Sequence, residues 1–155
     1  MTNNQAIFAA GCFWGIEEKF LTTDGVIDTE VGYTGGITSN PTYHDVCAGD
    51  TGHAEAVRVK YDNKIITYDN LVHMFFDMHN PTTLNRQGPD VGTQYRSEIF
   101  CLSDEQYLVA DSIRRKLNTE VFQNRIVTKI SKVSKFWIAE EYHQKYIRKK
   151  KRMII

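Results

Sequence analysis

Long apolar runs, paired cysteines and a surplus of charge are all missing from this sequence. No stretch approaches the roughly eighteen consecutive apolar residues of a membrane-spanning helix, so a membrane role is not expected. Basic and acidic residues balance at 19 each. No whole-chain field therefore favours nucleic acid. Only Cys12, Cys47 and Cys101 carry thiols, far apart and odd in number, which argues against a disulfide framework. There is no C-x-x-C and no H-E-x-x-H, so the usual signatures of a structural zinc site, a thioredoxin-type dithiol and a metalloprotease helix are absent. No metal and no cofactor is expected. Met1–Ala6 is polar, with no basic region ahead of an apolar stretch, which speaks against a secretory leader and for a cytoplasmic protein.

What is present reads as one catalytic domain over residues 1–155, with an ordinary 41% hydrophobic and 25% charged residues. Gln5–Ala10 is a short buried strand, Gly11 a corner, and Phe13–Leu21 a helix with Phe13, Ile16, Phe20 and Leu21 at helical spacing. Val26–Tyr33 is a strand, followed by a long irregular stretch from Ile37 to His53. Ala54–Tyr61 alternates as a strand, and Tyr68–Met78 is a helix. A second irregular stretch, Asn80–Tyr95, leads to a strand at Ser97–Leu102 and a helix opened by a capping box at Ser103. Ile126–Val133 and Ala139–Arg148 complete the chain as strand and helix. The basic tail, about 148–155, reads as a flexible solvated run. This order predicts an α+β fold: a two-layer ferredoxin-like (split βαβ) plait with an extra C-terminal strand and helix and long functional loops. Nothing suggests more than a monomer.

Chemistry concentrates at "GCFWG", Gly11 to Gly15. A cysteine at a helix start meets free N–H groups that favour thiolate, although a free thiol is as commonly an inert core residue. Phe13 and Trp14, adjacent on one helix, cannot both face the core, so one of them lines a pocket beside Cys12. Glu55 shares the face of Val57 and Val59. A carboxylate there is costly unless paired. It is either a partly buried acid able to give up a proton near neutral pH, or the partner of Arg58 or Arg96. Tyr33 and Tyr95 flank glycine-bearing loops where a phenol can reach a ligand, and Asp90 sits in a turn. Cys101 reads as core, and Cys47 as either a passive loop cysteine or a thiol close to Glu55. His53 could polarise a cysteine, as in Cys–His hydrolases. His79 and His143 read as helix-end or surface residues. The residues alone thus leave open a redox enzyme, a thiol hydrolase, and a binding module that uses the basic tail.

The motifs "GCFWG", "GYTGG" (Gly32 to Gly36), "NPTYHDVCAGDTGHAEAV" (Asn40 to Val57) and "GTQYRS" (Gly92 to Ser97) together resemble the A-type methionine sulfoxide reductases, over about Ala6 to Tyr146. The resemblance implies reduction of methionine S-sulfoxide, free or in proteins, through a sulfenic acid. It implies Cys12 as nucleophile, Glu55 as the acid that protonates the sulfoxide oxygen, and Tyr33 and Tyr95 as phenols bonding that oxygen. Asp90 would support the pocket, and Phe13 and Trp14 would take the substrate's methyl group. Many members carry recycling cysteines after the last helix, whereas here no cysteine follows Cys101. A one-cysteine cycle is therefore expected, with thioredoxin, glutaredoxin or glutathione as external thiol; the alternative makes Cys47 the resolving thiol.

Overall fold

The computed structural model describes residues 4–154. In chain order they form β1 (Asn4–Ala10), α1 (Phe13–Leu21), β2 (Val26–Thr34), α2 (Tyr43–Cys47), β3 (Ala54–Tyr61), α3 (Tyr68–Met78), β4 (Arg86–Gln87), β5 (Asp90–Val91), β6 (Ser97–Cys101), α4 (Asp104–Glu120), β7 (Lys129–Lys132), β8 (Trp137–Ile138) and α5 (Tyr146–Ile154). Six strands make a mixed sheet in the order β7-β6-β1-β3-β2-β8. Its pairings are antiparallel except for β6 with β7.

β1 is buried from Ala6 to Ala10, as its unbroken apolar run requires of a central strand. Alternation divides the side chains. Ala6, Phe8, Val57, Val59, Ile99 and Cys101 join the larger cluster with α1, α3 and α4, whereas Ile7, Ala9, Ala54, Ala56 and Phe100 face the other way, under Val133 and Phe136. On the helical side Phe8 stacks between Phe20 and Phe75, with ring centroids at 5.2 and 5.4 Å. α1 buries Phe13, Ile16, Glu17 and Phe20, a complete helical stripe with one carboxylate in it. Glu17 is satisfied there by the Thr29 hydroxyl at 2.8 Å and the Lys145 N–H at 2.7 Å.

Both irregular stretches contain more order than their composition predicts. Thr42 and Asp45 form a reciprocal capping box that opens α2, and Arg86–Val91 is a small hairpin. The C-terminal expectations need correction. The last strand is shorter, at Lys129–Lys132, and a further strand, β8, pairs at the opposite edge with Gly32 and Tyr33. No helix runs through Ala139–Arg148. Glu141–His143 is a single 3₁₀ turn, and α5 begins only at Tyr146. The reason is local. The Gln144 side chain grips the Val31 backbone at both N–H and C=O (2.9 Å each), and Lys145 takes a left-handed φ of 52°, which no helix tolerates. The basic stretch, expected to be loose, is helical through Ile154, and Arg148 and Lys151 pair with Glu18 of α1.

Candidate active site

β1 ends at Gly11, whose φ of +96° only glycine adopts without strain, and a side chain there would strike Gln87 of the β4–β5 hairpin. The turn throws Cys12 onto the N-cap of α1, half-buried. The Trp14 and Gly15 N–H groups of the helix start favour thiolate. They do not prevail. Burial is the larger influence, the charges of Glu55 and Asp90 add to it, and the thiol is pushed above its ordinary range. Burial thus outweighs the local effect of the helix start on this sulfur.

Glu55 opens β3 directly across from Tyr33 of β2 and is 1% exposed. Neither arginine pairs with it, because Arg58 is bound to Glu30 and Arg96 to Glu98. Its Oε1 accepts the Phe13 N–H at 3.2 Å, and its Oε2 has no partner. Burial pushes its pKa up to about 7, the Phe13 N–H works against this, and the charge of Asp90 adds to it. This is a buried carboxyl whose titration is moved to near neutral pH.

Tyr33 is fully buried, and its hydroxyl donates to Glu140 Oε1 at 2.8 Å, so its one proton is already committed. Burial and Glu140 keep this phenol from ionising. Tyr95, half-buried in the 3₁₀ turn after the hairpin, gives its hydroxyl proton to no protein group among the described residues. Burial and then the charges of Glu55, Cys47, Asp90 and Cys12 push it up to about 12. All four charges therefore act on it. Asp90 stands on β5, beyond the turn from the Gln87 that packs against Gly11, where its charge reaches both Cys12 and Glu55.

The aromatic pair divides as its spacing requires. Phe13 is 1% exposed and packs on Tyr33, while Trp14 stays partly exposed, stacked on Tyr146 at 4.0 Å. Cys47 ends α2, exposed, close enough for its charge to act on Tyr43 and Tyr95. Cys101 is buried against Tyr68. His53 cannot serve as a base for Cys12. It is 2% exposed, with Nδ1 accepting the Gly36 N–H and Nε2 bonded to the Thr38 carbonyl, so both ring nitrogens hold the loop. Among the described residues no three metal-ligating side chains converge.

One segment of the site, Glu140–Tyr146, is not foreshadowed by the sequence pattern. Besides holding Tyr33, Glu140 accepts the Tyr43 N–H at 2.8 Å. His143, expected at the surface, is 1% exposed and accepts the Trp14 indole N–H at 3.0 Å. The available signal was "EEYHQKY", dense in polar and aromatic residues and without apolar helical periodicity.

The sequence model of a family described as peptide methionine sulfoxide reductase matches residues 4–155. A peptide methionine sulfoxide reductase MsrA of Methanothermobacter thermautotrophicus is 54% identical over 149 residues, covering 96% of this chain and 88% of that protein. One from Methanococcus maripaludis is 54% identical over 156 residues, covering 100% and 99%. Among solved structures, reduced Mxr1 of Saccharomyces cerevisiae superposes with a TM-score of 0.91 at 39% identity, covering 97% of this chain and 87% of that one. The same yeast protein in complex with Trx2 gives a TM-score of 0.67 at 29% identity, covering 93% and 84%.

Proposed function

Because this chain belongs to the peptide methionine sulfoxide reductase family, we propose that the corner around Cys12 is where it reduces methionine S-sulfoxide to methionine. The observation that carries this reading is the buried Glu55 carboxyl, bonded to the N–H next to Cys12, with one oxygen free and its pKa pushed up to about 7.

The chemistry follows from two effects of burial: it pushes the Cys12 thiol up, and it brings Glu55 to a pKa of about 7, where the carboxyl can both give and take a proton. A sulfoxide sulfur becomes a good electrophile once its oxygen takes a proton. Glu55 gives that proton while the Cys12 sulfur attacks, and the thiol proton returns to the carboxylate. The sulfoxide S–O bond breaks as the oxygen passes to Cys12, so methionine departs and Cys12 becomes a sulfenic acid. The net proton count of the two groups is unchanged over the step. Tyr95, with its hydroxyl proton uncommitted, is the readier of the two phenols to bond the oxygen. Tyr33 would first have to release Glu140. The exposed part of Trp14, beside a Phe13 buried on Tyr33, forms an apolar wall suited to the methyl group.

Recycling takes an external thiol. The Trx2 complex of the yeast relative supports a thioredoxin, and glutathione or a glutaredoxin fits the same chemistry. A second reading, favoured by the exposure of Cys47 and by its charge acting on Tyr95 together with that of Cys12, has Cys47 displace water from the sulfenic acid to give a disulfide. Thiol-dependent turnover with unpaired cysteines fits a reducing compartment such as the cytoplasm. For the core, the strand order β6-β1-β3-β2 with α1 and α3 on one face supports the split βαβ plait.

The test is turnover of resolved methionine sulfoxide epimers with dithiothreitol, wild type beside Cys12→Ser. Reduction of the S epimer alone, lost in the variant, supports the assignment. Undiminished turnover by Cys12→Ser would remove Cys12 from the chemistry.

A further inference from the structure

The site leaves one buried polar atom without a partner outside the reacting groups: Nε2 of His143. Its other nitrogen, Nδ1, accepts the Trp14 Nε1–H at 3.0 Å. An indole N–H can only donate. Nδ1 must therefore be unprotonated, and Nε2 carries the hydrogen, enclosed by the rings of Tyr142 at 4.1 Å, Tyr43 at 4.4 Å and Phe13 at 5.3 Å. A buried N–H without a partner is costly, and the opposite tautomer would set two donors against each other at Trp14. The ring is kept in the form that holds the indole.

Trp14 is clamped on two sides. His143 takes its N–H edge, and Tyr146 covers one face at 4.0 Å and 12°. Both come from one segment, itself fixed by Gln144 on the Val31 backbone and by the Lys145 N–H on Glu17. An indole fixed by stacking alone can still turn about its side-chain bonds; the N–H bond removes that freedom.

We propose that His143 is a positioning residue that sets the angle of the Trp14 indole, and through it the fit of the sulfoxide methyl group. The inference rests on Trp14 being part of the substrate wall. A sulfoxide offers its oxygen, its methyl and its longer carbon arm to three different surroundings. With the oxygen held at Glu55, the epimer is chosen by which carbon substituent meets the wall. Loosening the wall therefore raises KM and erodes epimer discrimination, while proton donation by Glu55 is left alone.

The experiment measures kcat and KM on dabsyl-methionine S-sulfoxide and R-sulfoxide with dithiothreitol for Trp14→Phe, His143→Phe, His143→Asn and the double variant Trp14→Phe/His143→Phe. The expected result is a KM for the S epimer raised roughly tenfold in His143→Phe. His143→Asn, whose side-chain oxygen can replace Nδ1, restores most of it. His143→Phe adds nothing further to Trp14→Phe, and the pH profile of kcat keeps its shape. Equal losses from His143→Phe with and without Trp14 would make His143 merely structural and overturn the proposal. An unchanged KM in Trp14→Phe would overturn the wall itself, and the positioning role with it. Should the phenylalanine variant not fold, exchange of the Trp14 indole proton in the otherwise wild-type protein, assigned against Trp137→Phe, decides. Exchange slowed at least tenfold relative to free tryptophan supports the bond, and exchange at the free rate overturns it.

Discussion

Glu55 accepts the backbone N–H of Phe13 through Oε1 at 3.2 Å and leaves Oε2 without a partner, so a single bond ties the buried acid to the residue that follows the thiol. That relationship makes the carboxyl both a proton source and a burden on the fold.

The burden is measurable. Its folded pKa of about 7 lies above the ordinary 4.5, so stability is fully present below about pH 4.5 and is lost as pH rises through 7. Glu55→Gln keeps an acceptor for Phe13 and removes the charge. Urea unfolding at pH 8.5 should find the variant more stable than wild type, by up to roughly 3 kcal/mol, with little difference at pH 5. Equal stability at both pH values would mean that the carboxylate is well solvated.

The Cys12 thiol is held above its ordinary range by burial first and by Glu55 and Asp90 after it. Asp90→Asn and Glu55→Gln should each speed iodoacetamide labelling of Cys12 at pH 7.5, followed by mass spectrometry to separate it from the exposed Cys47. In Glu55→Gln, faster labelling should accompany slower sulfoxide reduction. Labelling slowed by either change would contradict the electrostatic account.

The two phenols should separate. Tyr33 is fully buried and bound to Glu140, whereas Tyr95 has an uncommitted proton. Tyr95→Phe should reduce single-turnover reduction by about tenfold or more with little change in stability. Tyr33→Phe should cost about 1–2 kcal/mol of stability, because Glu140 loses a buried donor, with the smaller kinetic effect. The reverse order would make Tyr33 the principal donor.

Thiol counting separates the recycling routes. After one equivalent of S-sulfoxide and no reductant, a one-cysteine cycle leaves two of the three thiols of this chain titratable. Attack by Cys47 leaves one of three, a loss of two thiols, whereas Cys47→Ser, which starts with two, then loses only one.

Much of this was legible in the sequence because it obeys periodicities. The alternation of Ala54–Tyr61 gave the strand and put Glu55 on the face of Val57 and Val59, and that same pattern identified it as a buried acid. Gly11 and the adjacent aromatics marked the corner. The electrostatic outcome at Cys12 was not legible, since burial and Asp90 come from chain distant in sequence and outweigh the local helix start. Nor was Glu140–Tyr146. Its residues act through single side-chain bonds to Val31, Tyr33 and Trp14, more than a hundred positions away, and such pairings leave no period to read.

The most direct test of Glu55 as proton donor is the pH dependence of a single turnover on methionine S-sulfoxide, read as methionine formed before any reductant is added. The account expects the rate to fall as pH rises through about 7, where Glu55 loses its proton. In Glu55→Gln that limb should vanish, with a rate lower by about a hundredfold or more. A wild-type rate that climbs through pH 7 and tracks thiolate formation, with Glu55→Gln little impaired, would contradict it.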